Sequence, residues 1–172
     1  HGLDDVRAYC FGRDEPIPVY GDRPTLDRIT RVFDYAFDSA WAMAVPRLSL
    51  HLIEGDLDLF GLQVRPVPIL HGRTPVLAFR IGRFAYITDC SEISADSMNQ
   101  LRGLDVLVLG ALRFKEHPTH FTIDEALEIV DQLQPRHTFF THMAHELDHE
   151  ATNDYLPDHV ELAYDGLVID VV

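Results

Sequence analysis

Three short apolar runs end in a side chain that can hold a cation. Val67-Pro68-Ile69-Leu70 stops at His71, Arg83-Phe84-Ala85-Tyr86-Ile87-Thr88 stops at Asp89, and His137-Thr138-Phe139-Phe140-Thr141 stops at His142. Aromatic and β-branched runs of this length read as buried strands, and open α/β layers place their chemistry at the carboxyl ends of such strands. Imidazole nitrogen and carboxylate oxygen together suit zinc, manganese or iron, so His71, Asp89 and His142 are candidate ligands of one metal centre. Cys10 and Cys90 are too few and too far apart for a thiolate site. Spacing alone leaves open that the three are independent polar loop residues.

Two further clusters compete for attention. In Glu116-His117-Pro118-Thr119-His120-Phe121, His120 stands just before a capped helix, where backbone amides favour an oxyanion or a phosphate. His145-Glu146-Leu147-Asp148-His149 spells H-E-x-x-H, in which two His one helical turn apart bind zinc. That segment follows a strand directly, reaches Pro157 within a few turns and has no apolar helix around it. A solvated helix start is the better reading. His51, His137 and His159 lie within a strand pattern or near turns and read as structural or surface residues.

The elements that must position these residues follow from periodicity. Gly2 to Phe11 carries a short apolar stripe with Asp4-Asp5 at its start, and Ile17 to Tyr20 is a brief strand that Pro18 keeps short or at an edge. Thr25 to Phe37 has the spacing of one amphipathic helix. Ala40 to Val45, with the only Trp, reads as a connecting segment or lid, or as satellite core packing; Trp41, Arg113 and Phe114 are candidates to line a pocket. Leu48 to Ile53, Leu57 to Phe60, Leu62 to Leu70, Pro75 to Ile81 and Arg83 to Thr88 form successive strands broken at glycines. Then come a helix capped by Ser94, a buried strand from Leu104 to Gly110 and a helix from Thr122 whose Glu125 completes a capping box. A strand from Thr138 to Thr141 and a polar helix from about Glu146 to Tyr155 follow. Val160 to Tyr164 and Leu167 to Val172 close the chain as a hairpin across Asp165-Gly166.

Composition narrows the partners. The 172 residues carry 14 Lys and Arg against 28 Asp and Glu, a formal charge of -14, which argues against a broad nucleic-acid or anionic-lipid footprint. No apolar run approaches a membrane span, and the cysteine count fits a reducing, cytoplasmic setting.

Taken in order, Asp4-Asp5 after His1-Gly2-Leu3, His71, Tyr86-Ile87-Thr88-Asp89, His117-Pro118-Thr119-His120-Phe121, Thr141-His142-Met143-Ala144-His145 and Tyr164-Asp165-Gly166 resemble the metallo-β-lactamase superfamily. Within it they are similar to the PhnP-like phosphodiesterases, which open a cyclic ribose phosphate. The resemblance implies an α/β fold, the αββα sandwich, with two divalent ions (Mn or Zn) at the edge of its sheets. It makes His71 a terminal ligand of one ion, Asp89 the carboxylate bridging both, and His142 a terminal ligand of the other. His120 matches the family's active-site histidine, a proton donor or phosphate contact, and His145 stands at most behind the ligands.

The family's H-x-H-x-D-H segment, source of four ligands, has no counterpart in these residues. The expectation is therefore one domain over residues 1–172, truncated at its N-terminus, comprising the second half of the sandwich plus the crossover region. Weak or no metal binding, no useful turnover by this chain alone and an uncovered apolar sheet face are expected with it. The complete protein is expected to be a metal-dependent phosphodiesterase acting on a small, cyclic phosphate ester, and a homodimer that binds neither nucleic acid nor membrane. The rivals are a non-catalytic binding module of the same fold and a branch resembling tRNA-processing endonucleases, against which the net charge speaks.

Overall fold

The computed structural model describes residues 2–37 and 45–171. All but the last residue of the Ala40 to Val45 segment, Trp41 included, lies outside them. The chain divides into two compact units, His1–Gly55 and Asp56–Val172.

In the first unit, strand β1 (Ile17–Gly21) pairs in parallel with β2 (Leu48–Leu52). Between them α1 (Arg23–Val32) starts at Asp22, whose carboxylate accepts from the Thr25 amide at 3.0 Å. The helix expected over Thr25 to Phe37 is not continuous. It ends at Phe33, and Asp34–Phe37 form a separate 3-10 turn. The Asp34 carboxylate accepts from the Tyr35 amide at 2.8 Å, an alternative partner that competes with continuing the helix. Gly2–Cys10 is likewise 3-10 rather than α, with no fully buried residue.

The second unit is a seven-stranded sheet in the order β3 (Leu57–Leu59), β4 (Leu62–His71), β5 (Thr74–Ile81), β6 (Phe84–Ile87), β7 (Val106–Gly110), β8 (His137–Thr141) and β9 (Val160–Leu162). β3 to β6 form an antiparallel meander, and β6 to β9 run parallel to one another. Parallel neighbours need crossovers, supplied here by α2 (Ala95–Gln100), α3 (Ile123–Leu133) and α4 (His149–Tyr155). Two antiparallel steps bring β4 back into the direction of β6. The carboxyl ends of β4, β6, β7 and β8 therefore share one edge of the sheet.

One face of this sheet is the main core. Val67, Ile69, Ala85, Ile87, Leu107, Leu109 and Phe140 pack there against Met98 and Leu101 from α2 and its end and Ile123, Ala126 and Val130 from α3. Every residue of β7 is buried, so its alternate side chains fill both faces: Leu107 and Leu109 the main core, Val106 and Val108 the other. α3 begins with the capping box its sequence spells, Thr122 Oγ1 accepting from the Glu125 amide at 3.1 Å and Glu125 Oε2 accepting from the Thr122 amide at 2.8 Å.

The closing hairpin does not form. Asp165-Gly166 does turn, with the Leu167 amide donating to the Tyr164 carbonyl at 3.1 Å, but residues 167–171 make no strand. Leu167 and Ile169 instead pack on Val106, Val108 and Phe139, so burial on the sheet face wins over extending its edge. Among the described residues no helix is long and apolar enough to cross a membrane.

Candidate metal centre

His71 is the last residue of β4, and Asp89 lies two residues beyond β6. Next to Asp89, Cys90 is buried and its carbonyl accepts from the Phe121 amide at 2.9 Å, tying the Asp89 loop to the His120 segment. Burial pushes the Cys90 thiol up to about 11, so it is an inert packing residue at neutral pH. Glu92 returns to β4 through a bridge to Leu70, and Ser91 Oγ accepts from the Gly72 amide at 2.9 Å. Gly110, at the end of β7, lets the Asp89 loop come close: a Cβ there would lie 3.4 Å from the Thr88 Cα. His142 follows β8 directly. Ala111 and Ala144 donate to the carbonyls of Thr141 and Leu112, which fastens the β7 and β8 loops to each other.

These loops bring four side chains to one place. His120 Nε2 stands 3.3 Å from Asp89 Oδ1, His142 Nε2 stands 3.4 Å from the same oxygen, and the two imidazole nitrogens are 3.1 Å apart. The His120 and His142 rings are stacked, and the His71 ring meets His120 edge-on at a centroid distance of 4.5 Å. Ligand atoms of His71, Asp89 and His120 all lie within 4.8 Å of one another. Asp89 and His142 both hold left-handed backbone, φ 51° and 58°, without being glycine. Strain of this kind persists where surrounding structure imposes it, and it clusters at functional sites.

The cluster fits a cation. Tetrahedral zinc with bonds of about 2.0–2.1 Å holds its ligand atoms about 3.3 Å apart, the spacing found between Asp89, His120 and His142. Among the described residues His71 Nε2 is buried with no hydrogen-bond partner, and an imidazole nitrogen so placed near a carboxylate is suited to donate to a metal. Burial holds His120 below the ordinary imidazole range; its bond to Asp89 opposes that, and the neighbouring His71, His142 and His117 add to it.

The sequence groups His71, Asp89 and His142 as ligands, and the resemblance gives His120 the part of proton donor or phosphate contact beside them. The structure brings all four together, with His120 at the centre. His117 had no role in that reading, although it stands in the same H-P-T-H segment. Its Nδ1 lies 3.0 Å from His120 Nδ1, and Thr119 contacts both rings. H-E-x-x-H has no metal geometry, because α4 starts only at His149 behind its cap Asp148. Glu146 pairs with Arg113 at 3.3 Å, and the His149 ring packs on Tyr164. Arg113 also donates to the carbonyls of Lys115 and Glu116, so it braces its own loop, while Phe114 packs edge-on against Tyr155.

The chain belongs to the metallo-β-lactamase superfamily: the family model for the beta-lactamase superfamily domain matches residues 1–143, and the His and Asp side chains gathered at the carboxyl ends of the strands are its candidate metal centre. Within it the chain is similar to the PhnP family. It is 42% identical to a crystallised diphosphatase from the PhnP family, with a TM-score of 0.89 over 96% of this chain and 63% of that one. The short form of human tRNase Z (19% identity, TM-score 0.68, 99% of this chain and 74% of that one) and zinc-bound PqqB from Methylobacterium extorquens (17%, 0.65, 91% and 66%) share the fold. A protein of Porphyromonas gingivalis named octanoyltransferase is 34% identical over 170 residues, 96% of this chain and 34% of that protein. The chain thus spans about a third of that relative and just under two thirds of the diphosphatase.

Proposed function

We propose that the chain carries the catalytic edge of a metal-dependent hydrolase that cleaves a phosphodiester or diphosphate bond in a small molecule. The observation that carries the proposal is the meeting of His71, Asp89, His120 and His142 at one strand edge, in a chain 42% identical to a PhnP-family diphosphatase. His71, Asp89 and His142 would hold divalent metal, manganese or zinc, with Asp89 shared between two ions. Four side chains supply too few donors to close two such sites, so a dinuclear form draws further ligands from outside this cluster. Bound metal supplies a hydroxide near neutral pH and draws off charge from phosphoryl oxygens. Asp89 orients the imidazoles around it, and His120 Nε2 carries a proton to the leaving oxygen. The half-exposed Asp89 and His142 leave that side open to substrate.

A second reading makes His120 a ligand, favoured by the 3.1–3.4 Å triangle it forms with Asp89 and His142. One variant separates the two. In the full-length protein with manganese or zinc, hydrolysis of bis-p-nitrophenyl phosphate, a ribose cyclic phosphate and a diphosphate ester is measured beside His120→Ala. Metal content retained with a rate lowered roughly a hundredfold to ten-thousandfold marks the proton carrier. Loss of metal and rate together marks the ligand. Metal-loaded protein that turns over none of these substrates would leave the non-catalytic binding module as the better reading.

A further inference from the structure

We infer that Arg113 is a positioning residue: its guanidinium ties the segment that carries His120 to the loop that carries His142, and so sets how closely the two imidazoles approach. The inference rests on the reading that both histidines serve one centre, in either part given to His120. The segment needs an outside hold. Its base is closed, the Leu112 amide donating to the Phe121 carbonyl at 2.9 Å and the Ile123 amide to the Arg113 carbonyl at 3.0 Å. Between those bonds, residues 114–120 make no backbone–backbone hydrogen bond among the described residues. A stretch of this kind opens at little cost unless side chains hold it. Gly72 backs Thr119, since a Cβ there would stand 2.8 Å from Thr119 Cγ2. Arg113 holds the first turn: Nε donates to the Lys115 carbonyl at 3.1 Å and Nη2 to the Glu116 carbonyl at 3.2 Å.

The third nitrogen reaches out of the segment. Nη1 donates to Glu146 Oε1 at 3.3 Å, in the loop after β8. That loop is itself firm: Met143 and Leu147 pack against the main core, the Leu147 amide donates to the Ala144 carbonyl at 3.1 Å, and the Ala144 amide donates to the Leu112 carbonyl at 2.8 Å. Glu146 is thus a fixed anchor, which gives the acid of H-E-x-x-H a use that involves no metal. A planar guanidinium presents its donors in fixed directions, enough for two carbonyls and a carboxylate at once; a lysine ammonium has no such fork. The tie holds the 3.1 Å approach of His120 Nε2 to His142 Nε2 and the stacking of their rings. A displacement of about 1 Å at such a centre costs roughly a hundredfold in rate.

Through-space NMR between the His120 and His142 ring protons in the metal-free full-length protein reads the approach directly, beside turnover of bis-p-nitrophenyl phosphate by the metal-loaded protein. Arg113→Ala should weaken the ring contact and lower kcat roughly tenfold to a hundredfold, with KM unchanged and the urea midpoint little moved. Arg113→Lys, which keeps the charge opposite Glu146 and loses the fork, should recover only part of the loss. Glu146→Ala changes a side chain 48% exposed and leaves the fold intact, so it should give a smaller loss of the same kind even where Arg113→Ala does not fold. The double variant should lose no more than Arg113→Ala alone, because both changes cut one tie. A ring contact indifferent to Arg113→Ala, additive losses in the double variant, or a rise in KM at unchanged kcat would each overturn the inference, the last by placing Arg113 on the substrate. Should the protein hydrolyse no phosphate ester at all, the proposed function fails while the ring contact still decides whether Arg113 positions the pair.

Discussion

The two edges of the seven-stranded sheet treat their polar side chains in opposite ways. Where β6 and β7 begin, Arg83 grips Asp105 with two hydrogen bonds of 2.6 and 2.8 Å. Toward the same edge Arg65 forks onto Asp56, and Arg80 donates to the carbonyls of Gly82, Gln100 and Arg102. In each of these pairs a donor meets an acceptor. Where those strands end, titratable groups crowd one another: a carboxylate, two imidazole nitrogens within 3.4 Å of it, and His71 Nε2, buried without a hydrogen-bond partner among the described residues. Two backbone residues there sit in left-handed conformations. The first edge closes its charged groups into pairs, and the second gathers groups whose arrangement suits a cation, which is what a site costs a fold.

The sharpest way to break that contrast is Asp89→Gly. Metal affinity and turnover in the full-length protein should fall roughly a thousandfold or more, because the carboxylate between His120 and His142 is gone. Stability should move by no more than about 1 kcal/mol, since glycine relieves the left-handed strain while adding freedom to the unfolded chain. Metal titration and urea unfolding of the same variant check both halves. A large loss of stability would make Asp89 a structural residue and erase the difference between the edges.

Thr122→Ala probes the frame behind the site rather than the site. Its hydroxyl caps α3, and the residue is almost wholly buried two positions after His120. Loss of the cap should cost about 1 kcal/mol, read as a lower urea midpoint at unchanged slope. Turnover should fall by far less than in Asp89→Gly. A rate loss of equal size would mean that α3's start sets the position of His120 as strongly as the H-P-T-H segment does.

Much of this frame was legible because buried strands and capped helices write themselves locally. The apolar runs ending at His71, Asp89 and His142, the Ser94 cap and the Thr122–Glu125 box each need only their own residues. What sequence could not give depends on partners far along the chain. Asp165-Gly166 reads as a hairpin until Leu167 and Ile169 find the Val106, Val108 and Phe139 face. Thr25 to Phe37 reads as one helix until the Asp34 carboxylate takes the Tyr35 amide. His117 reads as a loop residue because its meaning lies in a 3.0 Å approach to another ring, and ring-to-ring geometry has no period. The left-handed conformations of Asp89 and His142 are equally silent, since neither residue type announces them.

The smallest effect belongs to the satisfied edge. Arg83 holds the Asp105 carboxyl below the ordinary carboxylate value through its hydrogen bonds, with Arg136 adding to the same direction. A carboxyl whose folded value is depressed contributes stability above its unfolded value, and that contribution disappears as pH falls through the folded one. Arg83→Gln should therefore be slightly less stable than the wild type at neutral pH, with the gap closing as pH drops below the ordinary carboxylate range. Arg83 faces solvent and Asp105 is partly exposed, so the gap should also shrink in high salt. Unfolding curves for the two proteins at neutral and acid pH, each at low and high salt, decide it. Turnover should be untouched, because this edge lies at the opposite end of the strands from His71, Asp89, His120 and His142. A drop in rate with stability preserved would mean that the two edges communicate through β6, and that the arginine edge is part of the catalytic apparatus after all.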